Sequence, residues 1–114
     1  KVGVLKIVSF RPFPGELIRE ALKAKKVVGV LDRSAGLGAE GGPVWLEVRA
    51  ALKDEDTDVR SYIGGLGGRD IEEANIEKIF NELLEINRGE RKENTSWIDV
   101  KENPMDIRQV TKIV

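Results

Sequence analysis

The chain has 114 residues, the usual size of one domain, and a net charge of -1 from 19 Lys and Arg against 20 Asp and Glu. The balanced charge argues against a nucleic-acid surface, and no apolar run approaches the ~20 residues of a membrane span, so we expect neither partner. The absence of Cys and His removes disulfides, cysteine-bound clusters, the commonest metal ligand and the commonest general base.

The first 24 residues predict a strand followed by a helix. Residues 2–8 are apolar and rich in β-branched side chains, which is typical of a strand. Pro12 and Pro14 end that strand, and Pro14 suits the first turn of a helix over residues 15–24. Because the chain begins inside a predicted strand, we expect it to be an N-terminally incomplete domain. With no export signal in the sequence, we expect a cytoplasmic protein.

A second strand and helix are predicted over residues 27–52. Residues 27–31 are continuously apolar, which is typical of a strand covered on both faces in a parallel sheet. A glycine-rich loop, residues 34–42, leads to Pro43 and a helix whose apolar face runs from Val44 to Leu52. The acidic residues that follow predict a solvated turn.

The third strand, residues 59–63, ends in four glycines packed into five positions. Such a cluster predicts positive φ angles or close backbone approach. We expect the next helix to open at Arg69, with Asp70 as its cap and Glu73 completing a capping box. Amides at such a turn could hold an anion or another subunit's carboxylate; the alternative is a tight connection without a ligand.

The C-terminal part predicts a helix that stops at Gly89, a charged connector over residues 89–96 and a C-terminal extension over residues 97–114. The extension would contain a short strand over residues 97–100 and a weak amphipathic helix over residues 106–114. The sequence thus predicts one α/β domain over residues 1–114.

Strands that alternate with helices predict a mostly parallel sheet with helices on its faces. The carboxyl ends of the strands would place residues 9–13, 32–42 and 64–70 along one edge, where open α/β sheets bind ligands or partners. We call this edge the rim.

We predict no catalytic or metal-binding residue in the chain, and we assign ligand or subunit contact to eight residues of the rim. They are Arg33, Gly36, Gly38, Gly65, Gly67, Gly68, Arg69 and Asp70. The Arg–carboxylate pairs that follow two strands could anchor a carboxylate or phosphate, or could simply cap helices and pair across loops. Residues 36–41 match G-x-G-x-x-G, but they lie too far from the strand end for a dinucleotide site. We expect Gly36 to tolerate an added methyl group better than Gly67 tolerates a β-branched side chain.

Five segments in order resemble one family. They are Val-Gly-Val-Leu-Lys-Ile (2–7), Phe-Arg-Pro-Phe-Pro (10–14), Val-Leu-Asp-Arg (30–33), Gly-Gly-Pro-Val-Trp-Leu-Glu-Val (41–48) and Ile-Gly-Gly-Leu-Gly-Gly-Arg-Asp (63–70). The chain is similar, from residue 2 to about residue 100, to core domain II in the α subunit of pyruvate:ferredoxin and related 2-oxoacid:ferredoxin oxidoreductases.

The resemblance implies a three-layer α/β/α, transketolase C-terminal-like fold without its first strand and helix. The absent strand would lie between residues 2–8 and 27–31. The resemblance also implies a structural, assembly role in an enzyme that decarboxylates a 2-oxoacid, with pyruvate expected, to an acyl-coenzyme A. That enzyme uses thiamine diphosphate, Mg and iron–sulfur clusters, with coenzyme A, ferredoxin and other domains or subunits as partners. No cofactor is expected in this chain.

A different class of function stays open beside this one. A stand-alone α/β module could bind an anionic ligand at the glycine-rich loops of the rim. Thermal stabilisation of the lone chain by phosphate or a coenzyme would favour that alternative.

Overall fold

The computed structural model describes residues 1–100, in which three helices alternate with three strands. They are α1 (Gly15–Leu22), β1 (Val27–Asp32), α2 (Pro43–Ala51), β2 (Asp58–Ile63), α3 (Glu73–Asn87) and β3 (Thr95–Trp97), with a 3-10 turn at Leu66–Gly68. The predicted alternation is confirmed from residue 15 onward. The predicted helix over residues 106–114 lies outside the described residues.

The strands form one parallel sheet in the order β1-β2-β3, as the alternation predicts. Val27 pairs with Asp58 at the start of the ladder, and Ser61 pairs with Thr95. The predicted bounds of the last strand, residues 97–100, were wrong. Asp99 has a positive φ of 50°, which ends the extended conformation there.

The predicted strand over residues 2–8 was wrong, because this segment pairs with no described residue. These residues make no backbone hydrogen bond within residues 1–100, and Val4 and Val8 are 83% and 89% exposed. Only Ile7 packs against the core. A strand needs a partner for its N–H and C=O groups, and residues 2–8 pair with no strand of residues 1–100.

The core lies between the sheet and the pair α1 and α2. Its buried side chains are Ile18, Val30, Trp45, Val48 and Leu52. The Trp45 Nε1 donates to the Val59 carbonyl at 2.9 Å, so the indole is satisfied inside the core.

Helix α3 covers the opposite face of the sheet. Side chains alternate along a strand, and Gly29, between Val28 and Val30 of the core face, lies against Leu83 of α3. Helices therefore flank the sheet on both sides, and the predicted α/β class with a parallel sheet and helices on its faces is confirmed.

Helix α3 begins later than predicted. Arg69 is extended after the glycine turn, with φ -69° and ψ 141°, so Asp70 does not cap the helix. Instead the Glu72 N–H donates to Asn75 Oδ1 at 2.8 Å and α3 starts at Glu73. The predicted stop is confirmed, since Gly89 follows the helix with φ 102°. No helix within residues 1–100 has the length and apolar content to cross a membrane.

Tyr62, the only tyrosine of the chain, is 1% exposed on the α3 side of the sheet. Burial, and after it the nearby Glu82 carboxylate, raise the pKa of the phenol above its usual value of 10.0. Because folding raises the pKa of Tyr62, the buried neutral phenol contributes its full stabilisation of the folded state below pH 10.0. That contribution is lost as the pH rises further, towards the raised pKa of the folded state.

We expect the tyrosinate absorbance of the folded chain to stay absent through pH 10.0 and to rise only at higher pH or on alkaline unfolding. Absorbance titration with circular dichroism at each pH measures this for Tyr62 alone. An ordinary titration midpoint near 10.0 with unchanged circular dichroism would contradict it.

Candidate functional site at the carboxyl ends of the strands

Two glycine-rich loops meet at the rim, because β1 and β2 are adjacent and parallel. The Gly64 N–H donates to the Asp32 carbonyl at 3.0 Å. Arg33 reaches the second loop, where a Cβ built on Gly65 would lie 3.0 Å from its Nε. The predicted third segment, residues 9–13, rested on a strand that is not formed. There Arg11 pairs with Glu47 of α2 at 2.8 Å instead.

Asp32 organises the first loop. Its side chain is 4% exposed, and its two oxygens accept hydrogen bonds from the backbone N–H groups of Val44 (3.1 Å) and Trp45 (3.0 Å). These are free amides at the start of α2, where a negative charge is also favoured by the helix dipole. The chain's own carboxylate thus occupies the place that an anionic ligand would take, as the capping alternative predicts.

The loop before α2 is closed by its own contacts. The Gly36 N–H donates to the Gly41 carbonyl at 3.0 Å, and the Gly42 N–H approaches the Ser61 hydroxyl at 3.4 Å. Gly41 lies so close to Trp45 that a Cβ there would be 2.5 Å from the ring. These glycines are needed for close packing, which gives no support to a dinucleotide site.

The second loop turns sharply and then presents its tip to solvent. Gly65, Gly67 and Gly68 have positive φ angles of 72°, 63° and 76°, as the cluster of glycines predicts. Gly67 and Gly68 are exposed, with no atom within 4 Å of an added Cβ. The Arg69 guanidinium donates to the Asp99 carbonyl, so it holds the segment after β3 against the loop.

The rim brings the eight predicted residues together only in part. Arg33 is exposed and lies next to the buried Gly65, and Gly36 is half-buried in its own turn. The other exposed positions are Gly38, Gly67, Gly68, Arg69 and Asp70. Sequence reasoning missed the buried groups that fix the rim, Gly42 and Ser61. Gly42 has a sequence signal, a small residue directly before the proline that begins a helix, whereas Ser61 lies inside β2 and has none.

Comparison with known proteins gives a consistent picture. Residues 1–76 match the family model described as pyruvate:ferredoxin oxidoreductase core domain II. The pyruvate synthase subunit PorA of Methanocaldococcus jannaschii is 40% identical over 89% of this chain and 24% of its own length. PorA of Thermotoga maritima is 45% identical over 76% of the chain and 22% of the relative. The ketoisovalerate oxidoreductase subunit VorA of Pyrococcus furiosus is 35% identical over 89% of the chain and 26% of the relative.

The chain therefore spans about a quarter of the length of the curated relatives it matches. The match covers both loops of the rim and the whole of α1 and α2.

Proposed function

Because the chain belongs to the pyruvate:ferredoxin oxidoreductase core domain II family, we propose that it is a structural domain of a 2-oxoacid:ferredoxin oxidoreductase. The family match over residues 1–76 carries this proposal. The whole enzyme would oxidatively decarboxylate a 2-oxoacid to an acyl-coenzyme A and pass the electrons to ferredoxin, in the cytoplasm. Pyruvate is the substrate we favour, since relatives at 45% and 40% identity are named pyruvate synthase subunits.

The residues of this chain do not fit the cofactors of such an enzyme. The sequence has no Cys to ligate an iron–sulfur cluster. Within the described part of the chain, no three acidic residues are grouped to hold a metal ion. The start of α2, the natural anion site of the rim, is filled by Asp32. Thiamine diphosphate, Mg and the clusters would therefore be bound by other parts of the enzyme.

The rim is the surface we propose for contact with those other parts. Its exposed groups include the Arg33 guanidinium, which makes no ion pair within residues 1–100, and the tip of the second loop at Gly67 and Gly68. An exposed arginine beside this loop suits a carboxylate of a partner chain. The buried contacts of Asp32 and Ser61 keep this surface in one shape.

We expect Arg33→Glu to weaken assembly about tenfold or more, because reversing the charge replaces attraction by repulsion. The tagged chain would be co-expressed with the other subunits, and co-purified thiamine diphosphate, iron–sulfur absorbance and coenzyme A-dependent pyruvate oxidation would be measured. Arg88→Glu, an equal charge reversal in the exposed cap of α3, is the matched control and should change nothing.

Two results would contradict this account. Recovery of the unsubstituted chain without thiamine diphosphate, clusters or 2-oxoacid oxidation overturns the proposed function. Equal losses for the two arginine substitutions overturn the role of the rim alone.

A further inference from the structure

The segment that leaves β3 lies against the second loop of the rim. The Ile98 N–H donates to the Ile63 carbonyl at 2.8 Å, and a Cβ built on Gly64 would lie 3.1 Å from the Ile98 Cβ. The next residue, Asp99, is the one non-glycine residue within residues 1–100 that has a positive φ, 50°. The chain therefore leaves the extended conformation of β3 immediately after the residue that contacts the first glycine of the loop.

Two side chains hold Asp99 in this conformation. The Arg69 guanidinium donates to the Asp99 carbonyl, and Asn75 Nδ2 donates to Asp99 Oδ2 at 3.0 Å. Through its own Oδ1, Asn75 also accepts the N–H of Glu72, the residue before α3, at 2.8 Å. Asp99 thus joins the end of β3 both to the second loop, through Arg69, and to the start of α3, through Asn75.

The left-handed conformation of Asp99 needs a physical reason. A positive φ is uncommon outside glycine, and it persists where the surrounding contacts determine it, often at functional sites. The tip of the second loop lacks such contacts, because no atom lies within 4 Å of a Cβ built on Gly67 or Gly68. The bond from Arg69 to Asp99 therefore supplies a constraint that the glycines of the tip cannot supply by packing.

We propose that Asp99 is a positioning residue for the rim, an inference that rests on the proposed function. By accepting hydrogen bonds from Arg69 and Asn75, it holds the turn at Leu66–Gly68 in the shape that meets the neighbouring polypeptide. Without these contacts Arg69 loses its anchor and the turn opens more often, while the sheet and the core stay folded. The backbone bond that closes this turn, from the Arg69 N–H to the Leu66 carbonyl at 3.2 Å, reports the opening.

Native-state hydrogen exchange of the full 114-residue chain measures this opening through the amide proton of Arg69. We expect Asp99→Ala to speed that exchange about tenfold, because alanine removes the bond to Asn75 and disfavours a positive φ. Asp99→Asn should keep the rate within about twofold of the unsubstituted chain, since asparagine tolerates a positive φ and its amide oxygen still accepts from Asn75. The Trp45 amide, which donates to Asp32 in the first loop, is the internal reference.

The matched control is Asp54→Ala, which removes the same side chain from an exposed turn where φ is not positive. An unchanged Arg69 amide in Asp99→Ala, or an equal effect of Asp54→Ala, overturns the role of Asp99. Equal acceleration of the Trp45 amide overturns it as well, because that result means a general loss of stability. Fast exchange in Asp99→Asn overturns the role of the left-handed conformation.

A second measurement connects the turn to assembly. When each tagged chain is co-expressed with the other subunits, we expect Asp99→Ala to co-purify at least about fivefold less thiamine diphosphate than Asp99→Asn. Equal co-purification by these two variants overturns the effect of Asp99 on assembly. An unsubstituted chain that co-purifies no thiamine diphosphate overturns the proposed function instead, so the two failures are distinct.

Discussion

Replacing Gly42 by Ala is expected to lower the unfolding free energy by about 3–5 kcal/mol, from overpacking combined with the loss of a helix cap. A Cβ built on Gly42 lies 2.2 Å from Asp32 Oδ2 and 2.4 Å from Asp32 Cβ, so rotating the carboxylate does not remove the clash. Either the backbone at the start of α2 moves, or Asp32 gives up its bonds to the amides of Val44 and Trp45.

Gly15→Ala is the matched control for this substitution. Gly15 begins α1, and an added Cβ meets only Ala51 at 4.0 Å, which is ordinary contact. We expect the unfolding free energy of the Gly15→Ala chain to rise by less than about 1 kcal/mol, because alanine lowers the conformational entropy of the unfolded chain. Chemical denaturation of both variants by circular dichroism measures the difference. A Gly42→Ala chain as stable as Gly15→Ala would show that Asp32 does not fix the loop.

The sequence predicts the glycine turn after β2 well because its cause is local. Three glycines with positive φ within four positions require no knowledge of the rest of the fold. Crowding at Gly36 is different and opposes the expectation that this loop absorbs an added methyl group, whereas the comparison with Gly67 stays a prediction. A Cβ at Gly36 would lie 2.8 Å from Ala39 Cβ and 2.9 Å from the Gly41 carbonyl oxygen. Those distances depend on how the loop folds back on itself, which residue spacing does not reveal.

The same distinction explains the errors in secondary structure. Helix α1 starts after Pro14 and α2 at Pro43 as predicted, because proline at a helix start acts through its own φ. Residues 2–8 have the composition of a strand but need a partner to pair with. The site residue Asp32 could be recognised from its position after an apolar run. Its two amide donors could not, because Val44 and Trp45 lie 12 and 13 positions further along the chain.

The outer edge of β1 is expected to make the 114-residue chain self-associate. No described residue pairs with that edge, although the resemblance places a further strand beside it. The unpaired N–H and C=O groups of an edge strand are a template for another chain. Leu31, at the end of this strand, is 37% exposed, so an apolar contact is available next to the free backbone groups.

We expect Leu31→Lys to raise the dissociation constant of the self-associated chain about tenfold or more, since lysine on an edge strand opposes pairing. Sedimentation equilibrium over a range of concentrations measures it. Leu17→Lys is the matched control, because Leu17 is an exposed leucine of α1 away from any strand edge. If the edge is the cause, Leu17→Lys leaves the association unchanged. A monomeric unsubstituted chain would show that the edge of β1 does not recruit a strand. Equal effects of the two lysines would show that surface apolarity, and not the strand edge, governs the association.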